Sequence, residues 1–335
     1  MTTDRCPGLA DLLSERDVLV ADGAMGTALF DLGLETGGSP ELLNVRKPEL
    51  VARVHADYLA AGADIVLTNT FGGTRARLDL HDLGDRVGEL NRAAVEIARA
   101  AVDAADRLAL VAGSVGPTGE LFEPLGPLTH ERGVALFIEQ VEALVDAGVD
   151  IVWVETLWWG VVLRAALEAA AGRGVPVVTT LSFDTNGSTM MGIAPEDLGA
   201  WWAGLGDGAP AAIGANCGIG PSDVVQAAAG IAGAAPGAVV VAKGNCGIPL
   251  YKDEGLSYPI GPDRMADYAE LAVRAGARIV GSCCGSGVAH VAAIRRAVDA
   301  GIEGGRPSVD EIGDRLGEVS TRTEPRTRRR RRRAG

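Results

Sequence analysis

Five cysteines occur in 335 residues: Cys6, Cys217, Cys246, Cys283 and Cys284. An odd number in a chain this long fits metal binding or free thiols better than a disulfide framework. Three of them sit in glycine-rich turns directly after short apolar runs. Cys217 follows Ala212–Ala215 in ANCG, and the Cys283–Cys284 pair follows Ile279–Val280 in GSCCG. Three thiolates are soft ligands that favour zinc, with Zn–S distances of about 2.3 Å, and leave a fourth position open for a substrate. An open position marks a catalytic rather than a closed structural site. Gly285 permits the turn that lets two adjacent cysteines face one ion. Cys246 lies at the same edge but reads as a packed thiol, and Cys6 has no assigned role. Carboxylates also end two of the runs, Asp22 and Glu155. They suit recognition of an ammonium group by charge-assisted hydrogen bonds. The hydroxyl of Thr68 is a further hydrogen-bonding candidate. The four histidines (His55, His81, His130 and His290) fall in helical or loop segments away from these strand ends and read as structural or exposed, and no Ser-His-Asp arrangement stands out.

The elements that must carry these residues are legible in the apolar pattern. Eight short runs, rich in Val, Ile or Ala, alternate with longer helical segments. They are Val18–Ala21, Ile65–Leu67, Leu110–Ala112, Ile151–Val154, Val177–Leu181, Ala212–Ala215, Val239–Ala242 and Ile279–Val280. Strands buried on both faces read this way. Pro48–Ala61 is the clearest helix, with Leu50, Val51, Val54, Tyr58 and Leu59 near a helical period and Gly62 at its end. Eight strand–helix units predict a single-domain (β/α)8 TIM barrel of class α/β, spanning residues 1–305. Residues 306–335 are expected to form a C-terminal helix and a disordered Arg-rich tail. An open doubly wound sheet is the alternative, but ADGAMGT lacks the G-x-G-x-x-G of a dinucleotide turn. In a barrel the chemistry gathers at the C-terminal strand ends, and every run here leads into polar or thiol groups there.

The bulk properties narrow the partners. The net charge is −13, and seven arginines fall between Arg326 and Arg333, so the rest of the chain is more acidic still. An acidic body disfavours specific nucleic-acid binding. No window reads as a membrane span or signal peptide, which predicts a cytoplasmic protein without membrane association. A homo-oligomer is compatible with the sequence but not specified by it.

The ordered set DGAMGT, TNTFGG, GSVGPTG, WVET, ANCG, NCGIP and GSCCG, from Val18 to Ile294, resembles the homocysteine S-methyltransferase family. That family includes the zinc module of cobalamin-dependent methionine synthase, the betaine enzymes and the S-methylmethionine enzymes. The resemblance implies Zn2+ on Cys217, Cys283 and Cys284. It implies a homocysteine amino-acid end held by Asp22, Thr68 and Glu155, with Gly23 and Asn216 in the same substrate-binding set. Asn245 matches an asparagine that fills the open metal position without substrate. The implied reaction is transfer of a methyl group from betaine or a similar onium donor to homocysteine. The alternatives are S-methylmethionine or a separate methylcorrinoid protein as donor. Two features depart from the pattern. Cys246 stands where the family usually has alanine. Gly72 and Thr156 stand where the animal betaine enzymes have tyrosines, so Trp158, Trp159, Phe71 or Phe183 are the candidates to face a quaternary ammonium donor. A phosphate-binding barrel lyase and a thiol redox sensor are the competing readings from other classes.

Overall fold

Short runs of Val, Ile, Leu and Ala become strands when both of their faces can be covered. In the computed structural model, which describes residues 8–320 apart from 36, 159, 253 and 254, eight such runs form one parallel sheet. They are β1 (Leu19–Val20), β2 (Ile65–Leu67), β3 (Leu110–Val115), β4 (Ile151–Leu157), β5 (Val177–Leu181), β6 (Ala212–Cys217), β7 (Val240–Gly244) and, after a small antiparallel hairpin of β8 (Leu250–Lys252) and β9 (Gly255–Ser257), β10 (Ala277–Ser282). Neighbours run β1-β10-β7-β6-β5-β4-β3-β2. Ala21 bridges Ile65, Asp22 N donates to Ile65 O at 3.0 Å and Asp64 N to Val20 O at 2.6 Å, so the first and last members meet and the sheet closes. The barrel expected from the sequence is present. The strands extend further toward the rim than their apolar runs, because polar residues such as Ser114, Glu155, Asn216 and Lys243 continue the ladder.

Side chains alternate between two apolar layers, as successive strand residues must. Leu19, Ile65, Leu110, Ile151, Trp153, Val178, Val241 and Ile279 fill the barrel interior. Val20, Val66, Val111, Val152 and Val154 face the helices instead. The helix Leu9–Glu15 adds Leu9 and Leu12 to the interior cluster. At the N-terminal ends of the strands, Asp64 is fully buried. Its carboxylate accepts from Arg16 and Arg107 at 2.5 Å, from Arg295 at 3.1 Å and from Val20 N at 2.8 Å. The helix Pro48–Ala60 follows the expected pattern, burying Val51, Val54, Tyr58 and Leu59.

After the barrel, the chain forms one more helix, Val309–Leu316, capped by Ser308 Oγ, which accepts from Glu311 N at 3.1 Å. It buries Ile312 and Leu316 against the helices Pro221–Ala234 and Pro262–Arg274, and Arg315 bonds Asp267 and Glu270. Cys6, Trp159 and the arginine run lie outside the described residues. No described helix is long and apolar enough to cross a membrane.

Candidate active site

Three sulfurs converge at the C-terminal mouth of the barrel. Cys217 ends β6, and Cys283 and Cys284 directly follow β10, two strands separated in the ring only by β7. The Cys217 and Cys284 Sγ atoms are 3.9 Å apart, those of Cys283 and Cys284 4.0 Å, and all three lie within 4.8 Å of one another. Tetrahedral coordination with Zn–S near 2.3 Å puts sulfurs about 3.8 Å apart. The spacing therefore fits a shared zinc and is far too long for a disulfide, about 2.05 Å. Hydrogen bonds from Cys217 and Cys283 hold the Cys284 thiol down to about 3, while its neighbours and burial push Cys217 far up. Like charges this close oppose one another's ionisation, and a cation among the three sulfurs would favour the thiolate forms.

The local backbone is arranged for this convergence. Cys217 has φ of 62° and Thr156, at the end of β4 with only β5 between them, 60°. Left-handed backbone at such residues costs roughly 1–3 kcal/mol each and is retained where surrounding contacts enforce it. Asn216 enforces it at Thr156: its Oδ1 accepts from Thr156 N at 2.9 Å and its Nδ2 donates to Thr156 Oγ1 at 2.7 Å. The cysteine pair is pinned to the β7 end, where Cys283 N donates to Gly244 O and Cys246 N donates to Cys284 O. Gly285 then turns the chain at φ 82°, and a Cβ there would lie 2.2 Å from the Tyr258 ring. Cys246 is fully buried in the apolar layer outside the sulfur trio. Asn245 is also buried, and both ends of its amide bond backbone: Nδ2 donates to Gly218 O at 2.6 Å, and Oδ1 accepts from Gly247 N at 3.2 Å.

Beside the sulfurs lies a polar cradle. Asp22 is 1% exposed; its Oδ1 accepts from Lys243 Nζ at 2.8 Å and its Oδ2 from Leu67 N at 2.7 Å. Burial pushes the Asp22 carboxyl up, and Lys243 pulls it back. Burial opposes the Lys243 charge, but Asp22 and Glu155 more than offset this and leave its pKa raised. Glu155 accepts from Ser114 Oγ at 2.6 Å, and burial pushes it up to about 7 despite Lys243. Thr68 Oγ1 is 2.6 Å from Thr70 Oγ1 and accepts from Ser114 N at 3.1 Å. Gly23 allows the loop after β1 to pass Tyr58, whose ring would lie 2.8–2.9 Å from any Cβ.

One cavity of about 430 Å³ joins these groups. Asp22, Gly23, Thr68, Glu155, Thr156, Lys243 and all three metal-candidate cysteines line it, whereas Asn216 and Asn245 stand outside its lining. Its further walls carry Glu41, Phe71, Arg77 and His81. His81 thus departs from the expectation that all histidines lie away from the rim, because the short turns after Phe71 fold back over the barrel. His55, by contrast, has no hydrogen-bond partner among the described residues, and its burial in a helix lowers its pKa to about 4. Of the aromatic candidates, Phe71 lines the cavity; Phe183 is buried outside that lining, and Trp158 is outside it too. Sequence reasoning gave no role to Lys243, Arg77 or Ser282. A charged residue closing an apolar strand was the only available signal for Lys243.

The sequence model of homocysteine S-methyltransferases matches residues 19–298, the entire barrel. The chain belongs to the homocysteine S-methyltransferase family. It is therefore a methyltransferase with homocysteine as acceptor. It is 33% identical over 306 residues to a methionine synthase of Mycobacterium tuberculosis and 32% identical over 308 residues to one of Mycobacterium leprae. Those matches cover 87% of this chain but only 25% of each relative, so the chain corresponds to about a quarter of their length. Among solved structures it is similar to the Escherichia coli homocysteine methyltransferase MmuM. The metallated form superposes with TM-score 0.72 at 29% identity, covering 85% of this chain and 98% of that one; the oxidised form gives 0.74 at the same identity, covering 86% and 98%.

Proposed function

We propose that this family member makes methionine, using zinc held by Cys217, Cys283 and Cys284 and a small onium donor such as betaine. The observation that carries the reading is the sulfur trio, spaced for one tetrahedral ion, opening onto a cavity whose other walls carry buried carboxylates. Zinc, when bound, supplies a Lewis acid that keeps the homocysteine sulfur deprotonated near neutral pH, where a free thiol is mostly protonated. Asp22 and Glu155 take the substrate ammonium group, with Gly23 and Thr68 shaping the wall beside it. Asn216 holds the strained Thr156 strand end and so the approach to the cysteines, and Asn245 ties the β6 and β7 loops together. Its match to a fourth metal ligand requires release of the two backbone bonds it makes here. In the transfer step an S–C bond forms as the donor's C–N bond breaks, and the electron pair leaves with the amine. No proton moves in that step, so no general base is required.

The outer part of the cavity supports a betaine-like donor. Phe71 offers an aromatic face to a methylated cation. Arg77, which has no ion pair among the described residues, offers a partner for a carboxylate. A separate methylcorrinoid protein is the second reading, supported by the likeness to one quarter of the methionine synthases. S-methylmethionine is the remaining donor candidate. Thiols held this close stay reduced most readily in the cytoplasm, the compartment we assign. The test is methionine formation by reduced, zinc-loaded protein given homocysteine and betaine. Turnover establishes both acceptor and donor. Its absence in protein that binds homocysteine moves the donor to S-methylmethionine or a methylcorrinoid.

A further inference from the structure

No lysine, arginine or histidine occurs between Arg173 and Lys243, a stretch that supplies β5, β6 and the helices Pro195–Ala203 and Pro221–Ala234. The only charged side chains in that sector of the barrel are Asp184, Glu196, Asp197, Asp207 and Asp223. The last described residues return to it. Ser320 N donates to Asp223 Oδ1 at 2.9 Å, and Glu318 O accepts from Ser222 Oγ at 3.0 Å. Here a cavity of about 160 Å³, sharing no residue with the sulfur site, has Phe183, Pro195, Val309 and Val319 as apolar walls. Its lining includes the carboxylates of Glu196 and Asp223 and no basic residue. Asp223 is 5% exposed, yet among the described residues no cation pairs with it. A buried carboxylate without a counter-charge is costly, which favours a cation beside it. Asp310 and Glu318, both exposed, flank the same cavity next to Val309 and Val319.

We propose that the arginine segment following Ser320 docks on this sector, with one guanidinium in the cavity against Asp223. Residues 321–335 hold eight arginines against one acid, Glu324, so they carry +7 of a net −13 and leave −20 on the rest of the chain. A body this acidic attracts such a segment over a distance. The segment also starts at the cavity. At up to about 3.5 Å per residue, Arg322 and Arg326 stay within roughly 7 Å and 21 Å of Ser320. Tethering makes the contact intramolecular, at an effective concentration on the order of mM. The cavity suits this side chain, with an apolar wall for the methylene stem and a carboxylate for the planar head. The docked segment lies along the rim that β5 and β6 form, and β6 ends at Cys217. Its positive charge is thereby brought to one side of the barrel mouth.

Trypsin cuts after arginine, so the rate of cleavage at Arg326–Arg333, followed by mass spectrometry, reports whether the segment is docked. The full-length protein is compared in each buffer with a free peptide of residues 319–335, which removes the effect of salt on the protease. At about 0.01 M salt the protein should be cut at least about tenfold more slowly than the peptide. At about 1 M, where the screening length is roughly 3 Å, the two rates should agree within about twofold. Asp223→Asn, which keeps an oxygen for Ser320 N, should reduce the low-salt protection by about threefold or more. Asp310→Asn with Glu318→Gln is the second variant, since among the described residues neither side chain has a hydrogen bond or ion pair. It should reduce the protection by about twofold or more. Equal cleavage of protein and peptide at low salt would overturn the proposal. Protection that neither variant reduces would place the segment on another face and overturn it as well. Protection that grows with protein concentration would make a second copy the occupant. Protection that appears only on addition of heparin, the polyanion probe, would make an external partner the occupant. Either of these two results also overturns the proposal.

Discussion

A cation among Cys217, Cys283 and Cys284 favours their thiolate forms against the crowding that pushes Cys217 up while one thiolate is stabilised. Each of Cys217→Ala, Cys283→Ala and Cys284→Ala should abolish turnover. Each should also lower zinc affinity by more than the roughly 10–100-fold that loss of an outer-shell partner costs. Metal analysis after dialysis against a competing chelator checks this, and full zinc retention by any of the three contradicts the ligand set. Glu155 makes a separate prediction. Its folded value near 7 lies above its ordinary 4.5, so between these values the folded protein keeps a proton that the unfolded chain releases. The associated stability is present below about pH 4.5 and is lost as pH rises to 7. Glu155→Gln has no such loss. Relative to wild type, metal-free Glu155→Gln should gain stability across that window, reaching roughly 3 kcal/mol, and then level off. Denaturant titrations of both proteins at several pH values measure it; a constant difference would mean that Glu155 ionises normally.

At the scale of elements, the site depends on strand ends that continue past the apolar runs and turn sharply. β10 runs to Ser282, and the chain then needs two cysteines facing one point before it re-enters a helix at Val288. Gly285 makes this turn possible, with a positive φ and the Tyr258 ring against its Cα. Gly285→Ala meets both obstacles, so the turn must shift and carry Cys284 with it. We expect about 1–3 kcal/mol of lost stability together with weakened zinc binding. Thermal unfolding and metal content measured on the same sample test this. A variant that loses stability but keeps full metal affinity would show that the turn and the ligands are independent. The hairpin β8–β9, which precedes Tyr258, has strands of three residues each, too short for alternation to reveal them.

For the whole molecule, stability and chemistry occupy opposite ends of the barrel. At the N-terminal end Asp64 bonds three arginines and a backbone amide without any solvent exposure. Removing its charge leaves three partly buried guanidinium groups short of a partner, which costs about 3–5 kcal/mol for pairs of this kind. Asp64→Asn should therefore lower the unfolding midpoint substantially. At a temperature where the variant stays folded, its zinc affinity and homocysteine KM should match wild type. A large change in KM there would show that the two ends are coupled.

The chain by itself determined the barrel and its metal-candidate residues. Both rest on local signals: apolar runs whose length and β-branching require two covered faces, and thiols placed in turns immediately after them. In a closed parallel barrel every strand end reaches the same rim, so position along the strand was enough to group Asp22, Thr68, Glu155, Cys217, Cys283 and Cys284. Only the tertiary structure decided what each polar group faces. Lys243 and Asp22 are 221 residues apart and meet because β1, β10 and β7 are consecutive members of the ring. Asn216 spans to Thr156, Asn245 bonds to backbone, and His81 comes to the cavity mouth from a turn outside the strands. These contacts depend on loop paths and side-chain rotamers. Such features are set by packing across the barrel mouth, and spacing along the chain carries no record of them.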